Sequence, residues 1–162
     1  FERQWADPSN TPETKSLWTY AKSFMEGPAP IEVSLNLHST VGTFADTFFF
    51  KHVQPSVTAR FEEMQQRYID ALRNATPLFD NRSPATSQLH ENTYIESWFW
   101  NNWGETVMAM THEGHFHRRI TDSAWITDGD YREIGRSMVR ALMEYLELPP
   151  VKLDGSTSWK MF

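Results

Sequence analysis

The sequence predicts an α/β fold: a mixed, mostly parallel β-sheet with helices on both faces. Three observations lead there. Ile31, Val33, Leu35 and Leu37 are apolar, while Glu32, Ser34, Asn36 and His38 between them are polar. This period of two reads as a β-strand over Ile31–Thr40. A second, buried strand is read at Thr106–Glu113, in the sequence TVMAMTHE. Segments with a helical apolar period precede, separate and follow these strands, and a strand–helix–strand–helix order defines the class.

The first helix is announced by Thr11-Pro12-Glu13. A hydroxyl can cap, proline suits the first helical turn, and an acid there meets the positive end of the helix dipole. Leu17, Trp18, Ala21, Phe24 and Met25 mark its expected buried face, and Gly27-Pro28 ends it. After the Ile31–Thr40 strand, Phe44 and Phe48–Phe50 are read as a second strand or an aromatic wall. Pro55 is expected to start the next helix, with Val57, Phe61, Met64, Tyr68 and Leu72 facing inward. Thr76–Asn92 is turn-rich and expected to be a long loop. Tyr94–Gly104 carries three tryptophans and is read as mainly core. Asp128-Gly129-Asp130 is expected to cap a last helix, with Ile134, Met138, Ala141, Leu142, Tyr145 and Leu148 buried and Pro149-Pro150 as the stop. Residues 1–148 are taken as one portion of a domain, and 149–162 as a linker or the start of a following module.

With 162 residues, 40% hydrophobic and 22% charged, the chain is expected to fold around a real core. A formal charge of −6 argues against nucleic acid or an anionic membrane surface as partner. There is no cysteine, which excludes thiol chemistry and a disulfide framework. No run has the length of a membrane span, and no signal peptide is read. The chain opens on Phe1-Glu2-Arg3, and a longer parent chain is expected.

Chemistry-capable side chains stand at both strand ends: His38 on one, Glu113 on the other. Ligands of open α/β sheets gather at such ends. Neutral imidazole is a normal zinc ligand, and a carboxylate beside a metal-bound water is a normal general base. The closely spaced His112, His115 and His117 are expected to line the cleft or to hydrogen-bond to the backbone, and they also raise a second metal site. Alternative roles are structural: Glu113 paired with Arg118 or Arg119, and Arg3 paired with Glu2, Asp7 or Glu13.

Three segments, in order, resemble the C-terminal part of a zinc carboxypeptidase catalytic domain. Phe1-Glu2-Arg3-Gln4-Trp5, followed by Pro12-Glu13-Thr14 and a helix, resembles the family's Asn-Arg-x-Trp segment and its later helix start. Leu35-Asn36-Leu37-His38-Ser39 resembles the strand ending in Asp-Leu-His-Ser, whose histidine is a zinc ligand. Trp98 to Glu113 resembles the run from a Trp-containing loop into a strand that ends on the catalytic glutamate. The resemblance implies zinc as cofactor, His38 as its ligand, Glu113 as general base, and Arg3 as the fork that holds a substrate carboxylate. It implies hydrolysis of peptide or amide bonds. Tyr94 is the nearest match to the family's mobile tyrosine. Glu2 stands where the family has asparagine, placing an acid in the substrate-binding region.

The family's earlier His-x-x-Glu ligand pair is not in this sequence, so an upstream segment is the implied partner that supplies the other zinc ligands. Two alternatives stay open: an amidase or deacylase on the same scaffold, and a non-catalytic binding module that has lost the metal site. An extracellular or periplasmic location is expected from the habits of such peptidases.

Overall fold

The computed structural model describes residues 3–7, 11–40, 47–79, 85–87, 93–115, 118–119 and 122–149. The elements are α1 (Pro12–Met25), β1 (Val33–Thr40), β2 (Phe48–His52), α2 (Ala59–Ala75), β3 (Ala85–Ser87), α3 (Ile95–Trp103), β4 (Met108–His115) and α4 (Asp128–Tyr145). The predicted α/β class holds. Among the described residues, four strands lie in the order β1-β4-β2-β3. β1 runs parallel to β4, β2 is antiparallel to β4, and β3 is parallel to β2.

Strand alternation splits β4 between two cores. Met108 and Met110 face α2 and α4, where they meet Phe49, Tyr68, Ile69, Leu72, Ile134, Met138 and Ala141. Val107 and Ala109 face the other way, into a cluster built on Trp5, Trp98 and Phe99, with Trp18, Ala21 and Met25 of α1 against it. Helices therefore cover both faces, as expected. Trp98 is the hub of the second cluster, with ring centroids 5.1 Å from Trp5, 5.8 Å from Trp18 and 4.8 Å from Trp103.

Several expectations are corrected. Pro55 does not start α2. The helix begins at Ala59, because Thr58 stays extended and its hydroxyl accepts from the Phe61 N–H. The loop expected over 76–92 contains β3, which adds to the edge of the sheet at β2. The Trp-rich segment read as a loop entering a strand is helix α3 followed by a single turn of tighter helix over Gly104–Thr106. Leu17 and Phe24, expected to be buried, are exposed, and Tyr20 packs edge-on against Phe24 at the surface. Leu37 is 67% exposed because β1 is an edge strand among the described residues. Leu148 is exposed because the helix has already ended, with Glu147 turned to φ 55°. Of the expected tail, everything from residue 150 on lies outside the described residues.

The cap of α4 is Thr127 rather than the Asp-Gly-Asp run. Its hydroxyl accepts from the Asp130 N–H, and the Asp130 carboxylate accepts from the Thr127 N–H, which makes a reciprocal capping box. Thr127→Ala is expected to cost about 1 kcal/mol of stability in a denaturant titration. Arg119 bonds both Asp122 and Asp130 at 2.7 Å. Its guanidinium is the main cause that holds the Asp122 carboxyl below the ordinary range, while the Thr127 hydroxyl leads for Asp130. Both acids have depressed native values. Their stabilising contribution is full above the ordinary aspartate range and is lost as pH falls through the native values. Among the described residues, no helix is long and apolar enough to cross a membrane.

Candidate active site

The parallel pairing of β1 with β4 aligns Leu37 with His112, His38 with Glu113, and Ser39 with Gly114. Register partners share a face, so His38 and Glu113 stand side by side on the face covered by α3. The His38 Nδ1 lies 3.1 Å from one Glu113 carboxylate oxygen and 3.2 Å from the other. The side chain of His38 is 44% exposed, that of Glu113 only 9%. Glu113 is thus held in the sheet with its histidine partner opening toward solvent. On its other side, the register partner of Glu113 is Phe48 of β2, a buried aromatic. The carboxylate therefore sits in a rung of three side chains, His38–Glu113–Phe48, that is polar on one flank and dry on the other.

One rung earlier on the same face, Asn36 pairs with Thr111. The Asn36 amide donates to the Thr111 hydroxyl at 3.3 Å, and that hydroxyl donates to the Glu96 carboxylate of α3 at 2.8 Å. These three residues were not singled out from the sequence. Alternation places Asn36 two residues before His38 and Thr111 two before Glu113. Glu96 had no such marker, since only the packing of α3 brings it to β4.

The alternative roles weighed for Glu113 and Arg3 fare differently. Arg119 is taken up by Asp122 and Asp130, and the Arg118 guanidinium lies over the Trp125 ring at 4.6 Å. Glu113 has His38 instead. Arg3 is exposed and lies 5.8 Å from the centroid of the Tyr94 ring. The segment that carries it is anchored by Trp5, which stacks on Trp98 and whose N–H donates to the Thr93 carbonyl at 3.4 Å. Two of the three substrate-binding candidates, Arg3 and Tyr94, are therefore brought together. The third, Glu2, lies outside the described residues.

Of the two readings of the clustered histidines, cleft lining describes His112, and a shared metal site does not fit His112 with His115. His112 and His115 belong to opposite strand phases and so project from opposite faces of β4; His117 lies outside the described residues. His112 faces the α4 side, beside the Phe49 ring. It lines a cleft of about 430 Å³ with Leu37, Tyr131, Ile134 and Met138. Burial pushes its imidazole down to about 4, so it is neutral at neutral pH. Its Nε2 has no hydrogen-bond partner among the described residues. A native value below the ordinary 6.5 means that the unfolded chain takes up the proton first. Stability from this group is full above the ordinary value and falls as pH drops toward the native one. Denaturation midpoints followed between those pH values are expected to decline, and His112→Leu is expected to flatten that decline.

Histidine and carboxylate are the right donor types for zinc, but a catalytic zinc usually takes three protein ligands. Among the described residues no group of three histidine, cysteine or carboxylate side chains is placed to hold a metal. His38 is of the right type for one such ligand and Glu113 for a base beside it, which is the fit the described residues offer.

Comparison with solved structures gives the fold its name. The chain superposes on a metallo-carboxypeptidase from Burkholderia cenocepacia with a TM-score of 0.70 and 15% identity, over 90% of this chain and 38% of that one. A metallo-carboxypeptidase from Pseudomonas aeruginosa, solved in complex with (2-guanidinoethylmercapto)succinic acid, matches with a TM-score of 0.68 and 16% identity, over 90% of this chain and 39% of that one. No family profile matches the sequence, and no curated protein does. At such identities the likeness establishes the fold. The chain has part of the metallo-carboxypeptidase fold and spans less than half the length of the proteins that share it.

Proposed function

We propose that this chain is part of a zinc-dependent hydrolase of the carboxypeptidase type, acting on peptide or peptide-like amides. The observation that carries the reading is the His38–Glu113 pair. An imidazole and a carboxylate meet at 3.1 Å from aligned positions on neighbouring parallel strands, inside a metallo-carboxypeptidase fold.

Bound there, zinc would polarise the scissile carbonyl and make its water more acidic. The chain's own residues do the rest. His38 contributes one ligand from the mouth of the sheet. Glu113 takes the proton of the attacking water on a carboxylate oxygen and returns it to the leaving amine nitrogen. Its place between the His38 ring and the Phe48 side chain orients that carboxylate. Arg3, steadied over the Tyr94 ring, receives the substrate's terminal carboxylate. An upstream segment of the parent chain supplies the remaining ligands. A peptide-like ligand with free carboxylates is in keeping with the succinic acid derivative bound to the Pseudomonas protein.

The experiment compares hydrolysis of one N-blocked peptide with a free and with an amidated C-terminus by the complete protein. Preference for the free carboxylate, lost in Arg3→Ala, is expected. Equal rates on both would move the reading to an amidase on the same scaffold. No turnover of either with zinc present would overturn it.

A further inference from the structure

We propose that Thr111 is a positioning residue for the His38–Glu113 pair, its hydroxyl tying β1 to α3 one rung below the pair. This rests on the catalytic reading of that pair.

The geometry is specific. A hydroxyl carries one donor and can accept as well. Thr111 uses both, accepting from Asn36 on β1 and donating to Glu96 on α3, and it is buried. Three elements are joined through one oxygen atom. Two of them, β1 and β4, carry the pair; the third, α3, is fixed by the ring contacts of Trp98. The tie lies about 7 Å, two residues, from the pair along the strands.

The need for such a tie follows from topology. β1 has a ladder on one side only among the described residues. His38 sits near its open end with its ring half in solvent. Backbone pairing with β4 runs on through Thr40↔His115 and sets the strand spacing, but it does not set the side-chain orientations on this face. Asn36–Thr111 fixes the side-chain separation of the adjacent rung, and Glu96 keeps Thr111 from turning away. A general base must stay within hydrogen-bond reach of its proton, and small misplacements are costly in rate.

The test reads the side chain of His38 in the complete protein without added zinc by NMR, from three-bond couplings that report χ1 and from ring-to-Glu113 Overhauser contacts. Wild type is expected to show one rotamer and the contact. Thr111→Val keeps the branched shape and removes the hydroxyl; it is expected to average the rotamers and weaken the contact, with the spectrum of the α2–α4 core unchanged. Thr111→Ser is expected to restore both signals. If Thr111→Val does not fold, Asn36→Ala, which leaves the bond to Glu96 intact, is read in the same way. A single rotamer with full contact in the valine variant, or an averaged His38 in wild type, would overturn the proposal. Neither result bears on whether Glu113 is the base, which is decided by hydrolysis.

Discussion

Glu113→Gln in the complete protein is expected to lower the rate of peptide hydrolysis by about 10²–10⁴-fold, the share that a positioned general base supplies. The substitution keeps the shape and size of the side chain, and an amide oxygen can still accept from the His38 Nδ1–H. The strand register and the Phe48 flank do not depend on the charge. The fold and the zinc content should therefore survive while the proton acceptor is lost. The measurement is kcat on a peptide that wild type cleaves, beside circular dichroism of both proteins. An inactive variant that has also unfolded would say nothing of the base. A folded variant with undiminished kcat would remove Glu113 from the chemistry.

Phe49→Ala is expected to be the most damaging change to the fold, destabilising the chain by about 3–5 kcal/mol. Its ring is fully buried in β2. It meets Tyr68 of α2 at 5.6 Å, Phe79 at 5.4 Å and the His112 imidazole at 5.1 Å between centroids. Removing it opens a cavity where strand, helix and loop converge, and none of these neighbours is free to fill it. Denaturant unfolding of the two proteins measures the loss. Arg132→Ala is the contrast: its ion pair with Asp128 is exposed on both sides, and such pairs contribute little. It should shift the midpoint by less than about 0.5 kcal/mol.

The sequence made some of this legible and hid the rest for physical reasons. Alternation along Ile31–Thr40 and the apolar run before Glu113 identify β1 and β4, because period two survives in any sheet environment. The spacing of Phe61, Tyr68 and Leu72 likewise identifies α2, since all three are fully buried. The aromatic run Tyr94–Gly104 hid its helix: tryptophan and phenylalanine suit strands as well as cores, and the two asparagines mimic a loop. Leu37 shows that an apolar phase does not fix inwardness, which depends on which strand lies at the edge. Leu17 and Phe24 misled on α1, where an apolar face likewise does not fix inwardness.

The site divides along the same line. His38 and Glu113 could each be placed at a strand end from sequence. Their contact could not, because it depends on register between segments 75 residues apart. The chain Asn36–Thr111–Glu96 was invisible for that reason too, although the two strand members lie in the polar phase. Arg3 and Tyr94 meet where Trp5 docks on Trp98, a tertiary contact between distant segments.

The most direct test of the central claim is the zinc content of the complete protein, measured by elemental analysis for wild type and for His38→Ala. About one zinc per molecule in wild type, lost or sharply reduced in the variant, is the predicted result. Wild-type protein that takes up no zinc when zinc is supplied, or zinc that stays bound at full stoichiometry and affinity without His38, would contradict it.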